Sequence, residues 1–127
     1  MDMTPLIPAG RQIVESYGHR RFRVSGTLHE GSVLVFPDRT LAWPVAEAAG
    51  ANPENLLTVS EAGRAGAIEL LLLGCGLKMT LVPSSLRAAL REAGVVIEPM
   101  DTGAACRTYN VLMAEGRRVA AALVAVE

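Results

Sequence analysis

The sequence predicts an α/β domain, and three observations carry the prediction. Ile68 to Leu73 (IELLLL) is a short, nearly continuous apolar run between glycines, the composition of a strand covered on both faces. A helical pattern over Pro83 to Ala93 and a second apolar run at Val95-Val96-Ile97 follow it. Strand, crossover helix and strand make a βαβ unit, with neighbouring parallel strands and a right-handed connection. Upstream, Phe22 and Val24 alternate with Arg21, Arg23 and Ser25, the period of a strand with one wet face.

In chain order, Met1 to Arg11 is punctuated by Pro and Gly and reads as an N-terminal tail that orders on contact; residues 12–127 read as a single α/β domain. Gln12 to Val45 reads as β structure. Ser25-Gly26 interrupts the first alternation and predicts a bulge or tight bend. His29-Glu30-Gly31 separates Thr27-Leu28 from the run Ser32 to Phe36, a short connection suited to a hairpin with His29 at its tip. Pro37-Asp38-Arg39 is the next turn. Leu41 and Trp43 alternate before Pro44, so the simplest arrangement is an antiparallel meander, with a buried Trp43 anchoring that β layer.

Asn52-Pro53-Glu54 has the form of a helix cap with Pro at the first helical position, leading into Leu56, Leu57, Val59 and Ser60, with Gly63 and Gly66 ending the helix. In the Pro83 to Ala93 helix, Leu86, Ala89, Leu90 and Ala93 share a face and Gly94 stands just past the end. The last helix starts at Asp101 or Thr102, runs to the neighbourhood of Glu115 and stops at Gly116. Ala105, Cys106, Tyr109, Leu112 and Met113 fall on one of its faces, Arg107 and Asn110 on another. Arg117 to Val126, rich in Ala and Val, closes the chain as a strand.

Composition narrows the function classes. Hydrophobic residues make up 50% of the 127 but aromatic residues only 4%, so the core must be built from Val, Leu, Ala and Ile. Lys plus Arg is 12 against 13 for Asp plus Glu, and the net charge of -1 supplies no overall field for nucleic acid or an anionic membrane. A nucleic-acid role is therefore disfavoured. Val119 to Val126 is the longest apolar run, far short of the ~20 residues a spanning helix needs. MDMTPLIPAGRQIV lacks the basic start and apolar core of a signal peptide, so a cytoplasmic location is expected. Cys75 and Cys106 are expected as free thiols. With two His and two Cys and no close ligand pair, no zinc site and no cofactor is expected.

Candidate chemistry is sparse. LLLLGCG begins like a dinucleotide-binding turn, but Met79 stands where the third glycine belongs and Leu81-Val82-Pro83 delays the helix, so a plain tight turn is the better reading. Cys106 falls on the apolar face of its helix and reads as structural; Cys75, between glycines, reads as the more exposed thiol. The most chemically loaded stretch is MDTGAACRTYNVL, where Asp101, Thr102, Arg107, Thr108, Tyr109 and Asn110 place polar groups around one helix start. Free N–H groups at Thr102 and Gly103, with Arg107 as a five-donor fork, suit an anion. An alternative stands beside it: Asp101 caps the helix, Arg107 pairs with an acid such as Glu115, and Tyr109 packs with its hydroxyl satisfied.

That stretch, continued as MDTGAACRTYNVLMAEGRRVAAALVAV, resembles a conserved family of small bacterial and archaeal proteins of unknown function. The same family includes mitochondrial NADH:ubiquinone oxidoreductase (complex I) assembly factor 3. ESYGHRRFRVSG, EGSVLVFPDRTLAWPV and ELLLLGCG match in the same order and extend the resemblance over nearly the whole chain. The resemblance implies a compact domain with a mixed central sheet, helices on one side and a smaller antiparallel β layer on the other. It implies protein partners, as in assembly of a respiratory complex, and no established enzymatic activity or cofactor. It brings no accepted catalytic residues, so Asp101, Thr102, Arg107, Thr108, Tyr109 and Asn110 are nominated as a binding surface only. Two classes of function stand: a protein-binding module, favoured by the absence of any nucleophile–base pair, and a small-ligand or anion binder using the polar cluster. Homo-oligomerisation is left open.

Overall fold

The strands of the first part of the chain are divided between two sheets. The computed structural model describes residues 10–127, so the tail expected over 1–11 lies almost wholly outside the described residues. β1 (Val14–Gly18), β2 (Arg21–Val24) and β3 (Thr27–Glu30) form an antiparallel three-stranded sheet in that order. In β2 the alternation does what it predicts: Phe22 and Val24 are buried and Arg21 and Arg23 exposed. Ser25 and Gly26, at φ 45° and 85°, make a two-residue turn whose flanks pair as Val24 with Thr27. Positive φ at both positions is the primed-turn geometry that matches strand twist.

The hairpin expected at His29-Glu30-Gly31 does not form. β3 continues through Glu30, and His29 lies opposite Phe22 within the strand instead of at a tip. Gly31, at φ 78°, then turns the chain into the second sheet. There β4 (Val33–Val35) and β5 (Thr40–Ala42) form the hairpin around Pro37-Asp38-Arg39, closed by Phe36 N–H donating to Arg39 O at 2.8 Å. Alternation identifies strands but not their partners, so one expected meander is two structures.

The second sheet has five strands in the order β5-β4-β8-β6-β7, with β6 (Leu70–Gly74), β7 (Val96–Met100) and β8 (Val119–Leu123). β4 is antiparallel to β5 and β8, while β6 is parallel to β7 and β8, which makes the sheet mixed. The two apolar runs are thus neighbouring parallel strands, and α2 (Ser84–Glu92) connects them and packs on β7.

Side chains alternate across this sheet and define two cores. Leu71 and Leu73, Ala120 and Ala122, Leu34 and Ile97 face α1 (Leu57–Arg64) and α2, meeting Val59, Leu86 and Leu90. On the opposite face Leu72, Ala121, Leu123, Val33 and Val35 meet Phe22 and Val24 of the small sheet. They also meet Ala105, Tyr109 and Met113 of α3 (Thr102–Ala114), so the third helix shares the side of the small antiparallel sheet. Trp43 is buried and its indole N–H donates to Asn55 O at 3.0 Å, but it anchors the α1–α2 side of the large sheet and not the small one.

Two expectations about α1 change. Asn52 and Asn55 exchange side-chain to backbone hydrogen bonds at 3.0 and 2.8 Å, which forms a closed turn, and α1 starts only at Leu57. Gly63 does not end α1. It lies inside the helix against Ala93 and Val95, where a Cβ would sit 2.5 Å from Ala93 O. Gly66, at φ 76°, is past the end.

Candidate functional site at the start of the third helix

The sequence puts Asp101, a residue type favoured at helix starts, just before Thr102, and it caps α3. Its backbone is extended and its Oδ1 accepts from Ala104 N–H at 2.8 Å, so the helix start carries its own carboxylate. Thr102 is fully buried and joins three segments. Its N–H donates to Gly76 O (2.8 Å), its Oγ1 accepts from Gly76 N–H (2.9 Å) and its hydroxyl donates to Val124 O (2.8 Å). Cys75 N–H donates to Met100 O at 2.8 Å. The carboxyl ends of β6 and β7, where open α/β sheets commonly take ligands, are therefore tied together by the chain's own hydrogen bonds. LLLLGCG is a turn in this closure.

Further along α3, Tyr109 is buried and its hydroxyl donates to Gln12 O at 3.0 Å; desolvation pushes its pKa well up. Asn110 Oδ1 accepts from Val14 N–H at 2.9 Å and its Nδ2 donates to Val14 O at 2.7 Å. One side-chain amide thus pairs with β1 as a neighbouring strand would. Thr108 is half-buried. Arg107 is exposed and, among the described residues, takes part in no ion pair, with Glu115 or any other acid.

Arg107 borders a groove of about 510 Å³ between α3 and β1, lined also by Glu15, Ser16, Tyr17, Cys106 and Asn110. The Tyr17 hydroxyl lies over Gly103, filling the space a Cβ would need, with Arg107 Nη1 beside it. Of the six nominated residues, the structure brings Arg107 and Asn110 to one groove, while Asp101, Thr102, Tyr109 and Asn110 have side chains committed to internal hydrogen bonds. Glu15 and Tyr17 were not singled out by sequence reasoning. Their signal was present in ESYGHRRF, yet its contact with α3 spans most of the chain.

The thiols offer little chemistry. Cys106 is buried behind Arg107, and burial pushes its thiol up to about 12, the nearby Arg107 pulling the other way. Burial therefore favours the protonated thiol at neutral pH. Cys75, expected to be the exposed thiol, is buried too, its Sγ 3.5 Å from Leu73 O; the turn folds it under the sheet end. Among the described residues no group of three or more His, Cys, Asp or Glu side chains is placed to hold a metal ion.

Comparison with known proteins fits this picture. The family described as "Protein of unknown function (DUF498/DUF598)" matches residues 14–124. The chain belongs to this family. It is 36% identical to an uncharacterised protein of Rhodobacter capsulatus over 96% of its own length and 93% of the relative's. It is 32% identical to NADH dehydrogenase [ubiquinone] 1 alpha subcomplex assembly factor 3 of Xenopus tropicalis, over 87% of this chain and 60% of that protein. The human counterpart is 29% identical over a similar span, so the chain covers about three fifths of the assembly factors' length. Among solved structures, a Bartonella henselae protein described as an outer membrane protein superposes with a TM-score of 0.85 at 37% identity, covering 93% of this chain and 98% of that one. A Bordetella pertussis protein described as an Mth938-like domain gives 0.82 at 29% identity, covering 98% and 92%. Among the described residues, no helix is long and apolar enough to cross a membrane.

Proposed function

We propose that this family member is a protein-binding module acting in assembly, in the manner the name of complex I assembly factor 3 indicates, and that it works without catalysis in the cytoplasm. The observation that carries the reading is the state of the polar cluster. Its hydrogen-bonding groups are mostly spent on holding α3 to β1 and to the sheet end, and Cys106 is held protonated. What remains is an open groove with Arg107 and Tyr17 at its rim, chemistry suited to a partner's carboxylate and apolar side chain.

A tagged chain purified from its host, wild type beside Arg107→Ala, tests this. Subunits of respiratory complex I should be enriched with the wild type and depleted with the variant. Enrichment of no protein over a tag-only control would defeat the module reading. A second reading, an anion binder, draws on the same unpaired Arg107. It requires heat of binding for inorganic phosphate or a small dicarboxylate that disappears in Arg107→Ala.

A further inference from the structure

Two open sheets leave β1, β3, β5 and β7 as edge strands among the described residues, and three of these edges are guarded. At β7, Pro99 has no N–H to offer and Arg87 Nη1 donates to Ile97 O at 2.9 Å. At β1, Asn110 takes both backbone groups of Val14, and the register shifts between Val14 and Ser16. β5 is only three residues long. Such devices keep an edge from pairing with another chain. β3 has no proline and no bulge, and its register against β2 runs unbroken from Thr27 to Glu30. Thr27, Leu28 and Glu30 are exposed and His29 is half-buried, so no other element covers the strand.

The direction of its backbone groups follows from the ladder. Gly31 N–H reaches inward to Arg20 O at 2.8 Å. Antiparallel pairs alternate between exchanging both backbone bonds and exchanging none. His29 and Thr27 therefore bond inward to β2, while the N–H and C=O of Leu28 and of Glu30 point out from the sheet. The two-residue turn at Ser25-Gly26, closing on Val24 and Thr27, fixes the same alternation. Among the described residues nothing bonds to these outward groups.

A second copy of the strand, run antiparallel about a two-fold axis, answers them in one register. With Leu28 opposite Glu30 of the second copy, every outward group on both chains has a partner. A register centred on Leu28 leaves the Glu30 groups unmet. One centred on Glu30 leaves Leu28 unmet and sets two carboxylates face to face. Charge selects the same register. Arg23 stands opposite Leu28 on β2 and, among the described residues, takes part in no ion pair. The acids of this hairpin region are Glu30, 3.3 Å from Arg21, and Glu15, whose Oε1 accepts from Gly26 N–H. In the paired register Glu30 of the second copy follows Leu28 in the row, about 10 Å from Arg23 between Cα atoms. Two long side chains close that span over the leucine, which is 48% exposed in the single chain. Each Glu30 carboxylate then lies between two guanidinium groups.

We propose that β3 pairs with β3 of a second copy of this chain, joining the two small sheets into one continuous antiparallel sheet. β1 is the strand farthest from the axis, so both Arg107 grooves stay open at the outer edges. The pairing goes beyond the protein-binding reading and does not depend on it.

A contact through one short strand is weak, so it is read at rising concentration. Sedimentation equilibrium carried into the millimolar range should show monomer and dimer, and concentration-dependent amide shifts should centre on Leu28 and Glu30. His29 faces its own copy on the axis, in a pair without backbone bonds, where Cβ atoms come within about 4.5–5.5 Å. His29→Cys should therefore form an intermolecular disulfide in a glutathione redox buffer. Thr27→Cys, opposite Gly31 of the second copy, should not, and the native Cys75 and Cys106 are buried. Leu28→Pro removes an outward N–H and no bond to β2, so it should abolish association with an unchanged circular dichroism spectrum. Arg23→Glu should weaken association about tenfold. A chain that stays monomeric at millimolar concentration, association unmoved by both variants, or cross-linking of Thr27→Cys in place of His29→Cys overturns the proposal. Arg107→Ala should leave self-association unchanged, which separates it from a failure of partner capture.

Discussion

Replacing Asn110 by Ala should destabilise the fold far more than replacing its exposed neighbour Arg107. The Asn110 amide satisfies both the N–H and the C=O of Val14 at 2.9 and 2.7 Å, in a part-buried setting. Truncation orphans both backbone groups, each worth about 1–3 kcal/mol if water cannot reach it. β1 is an edge strand of its sheet, so water recovers some of that loss and the net cost should be about 2 kcal/mol. For a domain of this size that lowers Tm by about 8 °C. Arg107→Ala removes no ion pair among the described residues and should stay within about 0.5 kcal/mol of wild type. Urea denaturation of both variants reads the energies, and amide exchange at Val14 reads the mechanism. If Asn110→Ala melts like wild type with the Val14 amide still protected, the side-chain pairing is not what holds β1, and the reasoning fails.

Other substitutions probe closeness of approach and titration. Gly63→Ala should cost about 1–3 kcal/mol despite alanine's better helix propensity, because its Cβ meets the fixed Ala93 carbonyl, whereas Gly103→Ala meets the far ends of the Tyr17 and Arg107 side chains and should cost much less; urea melts compare them. Thr102→Val keeps the shape but strips partners from Gly76 N–H and Val124 O, and a loss of about 2–3 kcal/mol is expected in the same assay. The Cys106 thiol rises from an ordinary 9.0 to about 12 in the fold, so the unfolded chain releases its proton first. Its contribution is fully present below pH 9 and declines as pH climbs from 9 to 12. Cys106→Ser should flatten that alkaline decline in stability measured against pH, with the buried Tyr109 supplying what slope remains.

What the sequence disclosed was what local chemistry determines. The βαβ unit was legible because an apolar run, an amphipathic helix and Gly94 each carry their signal within a few residues. Asp101 as a cap was legible for the same reason, since its partner is three positions on. Asn110 was not, because its partner Val14 lies 96 positions away, and a polar residue opposite an apolar stripe looks the same whether it faces solvent or a strand. The misplaced hairpin has the same origin. Thr27-Leu28 and Ser32 to Phe36 both read as strands, but the Ser32 hydroxyl accepts from Ala125 N–H, 93 residues away, and that distant contact helps hold the chain in the second sheet. Likewise Asn52-Pro53-Glu54 reads as a helix cap, while the reciprocal bonds with Asn55 make it a turn that closes before the helix opens at Leu57.

β8 is the last strand to be synthesised among those described, and it lies in the middle of the large sheet, between β4 and β6. Until Val119–Leu123 leave the ribosome, the β4–β5 hairpin and the β6–β7 pair have no strand joining them. Each presents an open edge to the cell, β4 with its run of buried valines and leucine, β6 with its leucines. Between the synthesis of Met100 and that of Val119 the nascent chain therefore carries two unfinished half-sheets, and native closure is a late event across large sequence separations. A ribosome-stalled chain that places Glu115 just outside the exit tunnel through an unrelated linker should bind holding chaperones, and one that places Val126 outside through the same linker should release them.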